Sequence, residues 1–464
     1  MKRMFSLGRA VVVVLALVAL ATCVPPGSQT GTAPEGSLTV DQLLAGLDTL
    51  QGSAAKSLTA SGMSVFRTQA GTPLSLSGLA SYLNGIKQDF GNYVKSLGAP
   101  CIVVPVRLAG AAHYPSVDAN GHALALSGLM WVPFTWGRHL DAPVITFQHG
   151  TQVFRANAPS RFDANPLAVF SNQDQTGALQ NYVECVVGAL MASAGYIVLM
   201  PDYPGFGDSS DPHPYVHSSL GNSVRDMIVA AKSLLGGGTV TPNGKVYLTG
   251  YSEGGYATMA GAMALRNASP PVTWASIAAV VPCDGPYDLS GVMLTQMLSG
   301  AQVKVPSYLL YTTFGYHSVD PADFGFDQLL VPPWNGLAAN LFDGTHTDAQ
   351  VGAAVPASTI PSSMLTAAAV ASLSPGGAAY GVLQANDSYM GWNVTAPLVF
   401  VHCPIDDTVP YANAQVAAAA LHAPIVNVQP VALIAAALGS THAAAFPPAM
   451  LAAFTAIETV NRGY

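Results

Sequence analysis

A serine, an aspartate and a histidine in this chain have the surroundings of a relay that activates an alcohol. Ser252 stands in Gly250-Tyr251-Ser252-Glu253-Gly254. The β-branched and aromatic run Val246-Tyr-Leu-Thr249 precedes it, and a small-residue stretch from Tyr256 to Leu265 follows. Strand, sharp turn and helix in that order lift the serine hydroxyl above a sheet in a strained backbone conformation. Glycines flank it because a Cβ there would collide with the tightly folded chain. The helix starts just beyond, so its free N–H groups and positive dipole end face any negative charge forming on a substrate.

A serine hydroxyl is a weak nucleophile at neutral pH. It needs a base, and the base needs an orienting carboxylate. His402-Cys-Pro-Ile-Asp406-Asp407 follows an apolar run, and Leu438-Gly-Ser-Thr-His442 precedes the last helical stretch. Asp406 is expected to hold the His442 ring in the tautomer that takes the Ser252 proton and returns it to the leaving group. Asp407 is read as a loop cap, because adjacent side chains turn apart. Of the 11 histidines, His402 is read as structural, His149 as shaping a glycine turn and His422 as a surface residue. His213 and His217 are either solvated or substrate-facing. The expected oxyanion donors are the main-chain N–H groups of Glu253 and Thr151, with Gln152 as the alternative to Thr151. Each such donor is worth about 3 kcal/mol of barrier. The Glu253 side chain is read as an anchor of the turn.

These residues need a scaffold that brings distant segments to one edge. Apolar strand-like runs at Pro143–Gln148, Tyr196–Met200, Lys245–Thr249 and Ser276–Pro282 alternate with helical stretches at Asn181–Ala194 and Ser218–Leu235. Such alternation predicts an α/β fold with a mostly parallel sheet covered on both faces, its functional loops at the carboxyl ends of the strands. Before it, Cys101–Leu108 and His122–Pro133, joined through Asp118-Ala-Asn-Gly121, predict an antiparallel hairpin at a sheet edge. Residues 39–97 read as helical packing without chemistry. After Asp288 the alternation stops for about a hundred residues until Pro397–His402, which predicts a helical cap between two neighbouring strands. Met293, Met297, Leu309, Leu310, Phe314 and Trp334 in it either line an apolar cleft or form the cap's own core.

The expected organisation is a leader (1–23), a flexible linker (24–38), a helical extension (39–100), a first core part (101–285), a cap (286–395) and a second core part (396–464). The leader has a positive head, Lys2, Arg3 and Arg9, and an apolar stretch, Ala10–Ala21, too short to favour a membrane span. It reads as an export signal. Leu20-Ala-Thr-Cys23 resembles a lipoprotein cleavage box with Thr22 departing from it, so either Cys23 carries a lipid that attaches the protein to a membrane, or ordinary cleavage occurs nearby. The destination is then the periplasm, the outer membrane or the medium. The formal charge of −8 is without a basic block, which removes electrostatic support for nucleic-acid binding. With 50% hydrophobic and 9% charged residues, extended disorder is excluded as well.

Taken together, Gly250-Tyr-Ser-Glu-Gly-Gly255, Gln148-His-Gly-Thr151, Asp202-Tyr-Pro-Gly-Phe-Gly-Asp-Ser209, His402-x-x-x-Asp406-x-x-Val-Pro410 and Thr441-His442 resemble the α/β-hydrolase superfamily of serine esterases and lipases. The cap and the helical leader before the hairpin are similar to the secretory lipase family. Cys403 stands where such loops carry glycine, and no run of glycines follows His149. The resemblance implies an exported serine carboxylic-ester hydrolase acting on a small-molecule or lipid ester through an acyl-enzyme on Ser252, with no metal or organic cofactor. It also places Cys283 and Cys403 just past adjacent strands, which implies their pairing and leaves Cys101 with Cys185; four free thiols are the alternative. Two other functions stand beside it. A serine aminopeptidase would need acidic groups in the cap, for which Asp320, Asp323 and Asp327 are available. A surface binding protein would have kept the fold without catalysis. Oligomeric state and acyl-chain length are left open.

Overall fold

A computed structural model of the chain describes residues 33–61, 76–98, 100–210, 212–430, 432, 435–436 and 439–463. The leader and Cys23 lie outside the described residues. The strands are β1 (Ile102–Leu108), β2 (Tyr114–Val117), β3 (Ala123–Leu126), β4 (Gly128–Phe134), β5 (Leu140–Gln148), β6 (Ile197–Pro201), β7 (Val240–Tyr251), β8 (Ser276–Cys283), β9 (Phe400–His402) and β10 (Ile425–Asn427). Eight of them form one sheet in the order β1-β4-β6-β5-β7-β8-β9-β10. From β6 to β10 neighbours run parallel, while β1–β4 and β4–β6 are antiparallel.

The antiparallel pair at the sheet edge is present, but its connection differs from expectation. Asn120-Gly121 reverses the chain between β2 and β3, which form a separate two-stranded ribbon. The Asp118 carboxylate secures that reversal, accepting the N–H groups of Asn120 and His122 at 2.8 Å each. The expected strand 122–133 breaks at Ser127, whose buried hydroxyl donates to Asp202 at 2.6 Å. Strand β4 then resumes in register with β1, from Ile102 opposite Phe134 to Leu108 opposite Gly128.

Alternation along the central strands decides which helices cover which face. Val246 and Leu248 pack with the helices His217–Leu234 and Glu253–Arg266. Tyr247 and Tyr251 point the other way, into the helices Gln175–Ser193 and Thr441–Arg462. The helical extension before β1 packs on that second face, where Phe90 stacks on Phe454 with ring centroids 5.5 Å apart. The helix Thr441–Arg462 is long and apolar enough to cross a membrane by length and composition, but 56% of its apolar window is buried inside the fold. It is a core helix whose first turn carries His442.

The cap emerges between β8 and β9, the sixth and seventh strands of the main sheet. Its helices include Ser307–Val319, Trp334–Leu341, Asp348–Ala354 and Ala378–Ala385. They share an apolar core of their own, to which Tyr203, Tyr215 and Tyr256 of the main body contribute. The apolar cap residues divide between the two expected roles. Met293, Met297 and Leu309 line a cavity, whereas Leu310 is buried in the cap core and Phe314 and Trp334 pack beside it.

Candidate active site

Strand β7 ends at Tyr251, and Ser252 takes φ 60°, ψ −123° before the helix begins at Glu253. A non-glycine residue at positive φ is strained. The surrounding contacts hold it there: the Ser252 N–H donates to the Cys283 carbonyl at 3.0 Å, and the Ser252 carbonyl accepts from Gly255 N–H at 2.8 Å. The flanking glycines are sterically required. A Cβ on Gly254 would lie 2.1 Å from the Gln148 carbonyl oxygen, and one on Gly250 would lie 2.5 Å from the Gly254 carbonyl oxygen. The Glu253 N–H, first in the helix, meets no acceptor among the described residues.

Asp406 and His442 meet. The Asp406 carboxylate accepts from the Thr408 and Val409 N–H groups at 2.8 Å each. Its other oxygen lies 2.6 Å from His442 Nδ1. A carboxylate against Nδ1 requires the proton on that nitrogen and leaves Nε2 as the acceptor. Asp407 turns the other way, as a cap for the helix Thr441–Arg462. It accepts from the Ser440 hydroxyl at 2.9 Å and from His442 N–H at 3.2 Å, with Lys304 at 3.5 Å. Burial alone would raise its carboxyl, but these donors and the lysine hold it below the usual range.

Tyr251 ties the two halves together. Its hydroxyl donates to the His442 main-chain carbonyl at 2.5 Å, and its ring lies 5.0 Å from the imidazole, centroid to centroid. Among the described residues no hydrogen bond is formed by the Ser252 hydroxyl itself.

Thr151 and Gln152 follow β5 and are both buried. The Thr151 hydroxyl is 2.9 Å from the Tyr215 hydroxyl, and the Tyr215 N–H donates to the Glu253 carboxyl at 3.2 Å. Burial pushes that carboxyl up to about 8, so at neutral pH it is mostly protonated. The same loop is held from behind by Glu184, which accepts from Gly150 N–H at 3.2 Å and is pushed up to about 7 by burial.

The remaining histidines are placed as follows. His149 stacks on Tyr203 at 4.0 Å, and burial drives it down to about 4. His402 is buried with Nε2 3.0 Å from the Val409 carbonyl, also down to about 4 by burial. His213 is buried with Nδ1 2.9 Å from the Ser219 hydroxyl, so it is not solvated. His217 is likewise driven down to about 4 by burial. His422 is exposed in a left-handed helix end.

Neither implied disulfide is made. Cys185, Cys283 and Cys403 are free and buried. Cys283 pairs in register with Val401, so Cys403 sits two residues further along its chain, out of reach of a bridge that needs directly facing Cβ atoms. Cys185 instead donates to the Asn181 side chain at 3.5 Å.

Three participants were not visible beforehand. Tyr251 and Tyr215 act through hydroxyls whose partners are distant in sequence. Asp284, just past β8 and fully buried, lies against Asp406. Its one sequence signal is its place after a strand, which matches that of the Asp406 loop.

Between the cap and the main body is an apolar cavity of about 610 Å³ counted out to its open mouth. Tyr215 and Pro286 border it from the main body, and Met293, Met297, Leu309 and Phe324 from the cap.

The sheet order, the strained turn after the fifth main-sheet strand and the cap after the sixth define an α/β-hydrolase fold. A model of the secretory lipase family matches residues 170–291, and it is this family that the chain resembles. No curated protein matches the sequence. Among solved structures, a Legionella pneumophila protein assigned as a hydrolase is 26% identical with a TM-score of 0.64, covering 82% of this chain and 95% of that one. The ligand-bound rice cell wall degrading esterase LipA from Xanthomonas oryzae is 20% identical with a TM-score of 0.62, covering 78% and 93%. Candida antarctica lipase A in its closed state is 19% identical with a TM-score of 0.52, covering 73% of each chain.

Proposed function

We propose that this chain is an exported serine carboxylic-ester hydrolase. The observation that carries the reading is the 2.6 Å contact of Asp406 with His442 Nδ1, on a turn that Tyr251 binds to the nucleophile elbow. Ser252 attacks the ester carbonyl while His442 Nε2 takes its proton. The oxyanion is met by the Glu253 N–H at the helix start, with the Thr151 N–H as second donor. His442 then protonates the leaving alcohol, and water, deprotonated by the same ring, releases the acid from Ser252. The apolar cavity under the cap takes the acyl chain. Its wall is lined by hydrocarbon and thioether side chains with few polar atoms, which suits a chain and not a charged group.

The three cap aspartates considered for an aminopeptidase give that reading no support. Asp320, Asp323 and Asp327 do not line the cavity, and Asp327 is occupied by the Asn335 amide at 2.7 Å. The experiment that separates the readings is a panel of p-nitrophenyl esters and aminoacyl anilides on wild type and Ser252→Ala. Ester turnover that disappears in the variant supports the hydrolase. Turnover of anilides alone favours the peptidase, and no turnover of either leaves a binding protein. Export is supported by the charged and apolar leader and by the likeness to secretory lipases. Expression of the full chain with assay of cell and medium fractions tests it, and labelling with a fatty-acid probe tests lipid on Cys23.

A further inference from the structure

Two carboxyls without side-chain exposure sit beside His442: Asp406, in contact with its ring, and Asp284. Asp284 follows β8 with φ 46° and no solvent exposure. Its N–H donates to the Val401 carbonyl at 2.9 Å, and its Oδ1 accepts from the Cys403 N–H at 2.8 Å. No donor among the described residues reaches its Oδ2. An oxygen of Asp284, an oxygen of Asp406 and a ring nitrogen of His442 all lie within 4.8 Å of one another. Two ionised carboxylates this close, both out of water, only accept and repel each other, so a proton held between them favours the pair.

The surroundings decide which carboxyl keeps it. Asp406 has two N–H donors and His442 Nδ1, whereas Asp284 has one N–H donor. The better-served oxygen pair holds the charge. Among the described residues no cation offsets a second one. His402 Nε2 lies 3.9 Å from Asp284 and 3.8 Å from Asp406 but is committed to the Val409 carbonyl, and the ring is neutral by burial. Lys304 faces Asp407. The Cys283 and Cys403 thiols and the Tyr251 phenol are pushed up by burial and stay neutral. Burial first, and the Asp406 charge second, raise the Asp284 carboxyl well above its ordinary range.

We propose that Asp284 is a positioning residue of the relay: it keeps its proton and donates it in a hydrogen bond to Asp406, fixing that carboxylate behind His442. The proposal rests on the reading of Ser252, Asp406 and His442 given above. It assigns Asp284 an effect on the turnover step and none on substrate binding.

Asp284→Asn is the decisive variant, because an amide still donates, carries no charge, and suits the left-handed backbone at this position. Infrared difference spectra of wild type against Asp284→Asn at neutral pH should show the loss of one protonated-carboxyl carbonyl band. Turnover should stay within about threefold of wild type with the acidic limb of the pH profile unmoved. Asp284→Ala, without a donor, should lower kcat about tenfold at little changed KM. A difference spectrum without that band overturns the proposal. So does an acidic limb displaced by about one pH unit in Asp284→Asn, the mark of a lost negative charge, and so does wild-type kcat in folded Asp284→Ala. If Ser252→Ala keeps its turnover, the relay itself falls. If Ser252→Ala is inactive and the band is missing, only the role of Asp284 falls.

Discussion

The Tyr251 hydroxyl reaches across 191 positions of sequence to the main-chain carbonyl of His442, at 2.5 Å. The residue before Ser252 thereby fixes the turn that carries His442. The Asp406 carboxylate sets the tautomer of His442, and Tyr251 holds the main chain and ring of His442 from the other side. Tyr251→Phe keeps the ring contacts and removes only this bond. Its kcat should fall about three- to tenfold, and unfolding in urea should show a loss of about 1 kcal/mol, typical of a buried hydrogen bond. Unchanged kcat would assign Tyr251 to packing alone.

Glu253 gives a signed pH dependence. Its carboxyl is raised from 4.5 to about 8 by burial, so the folded state holds a proton that the unfolded state releases. Stability contributed by that proton is full below about pH 4.5 and is lost as pH rises toward 8, by up to about 1.4 kcal/mol per pH unit. Glu253→Gln removes this slope. Urea unfolding at both ends of the window should show the variant gaining on wild type as pH rises, and a constant difference would contradict an uncharged Glu253.

Leu309 lines the cavity under the cap and is nearly buried. Leu309→Trp fills the space a long acyl chain would use. The ratio of kcat/KM for long-chain over short-chain p-nitrophenyl esters should fall about tenfold, the scale of discrimination an apolar pocket gives. An unchanged ratio would place the acyl chain elsewhere.

Local pattern carried the sheet, because strands β5 to β8 are buried on both faces and write continuous apolar runs, as in β6 (Ile197–Pro201). The elbow was legible for a similar reason: Gly250 and Gly254 meet backbone atoms directly, so their identity follows from sterics. Short β9 and β10 were less clear, since Pro397–Val399 lie before β9 and only Ile425–Asn427 pair beyond it. The pairing of Cys283 with Cys403 failed on register, a property of pairing that strand order does not fix. Tyr251, Tyr215 and Asp284 stayed hidden because a hydroxyl or carboxyl shows its purpose only through partners that folding brings near.

In the proposed mechanism Ser252 is the group that becomes acylated. Treating the full chain with a fluorophosphonate and mapping the adduct by peptide mass spectrometry tests it most directly. One adduct is expected, on Ser252, formed in step with loss of ester turnover, absent from Ser252→Ala and strongly slowed in His442→Ala. An adduct on another residue, or ester turnover that survives in Ser252→Ala, would contradict it.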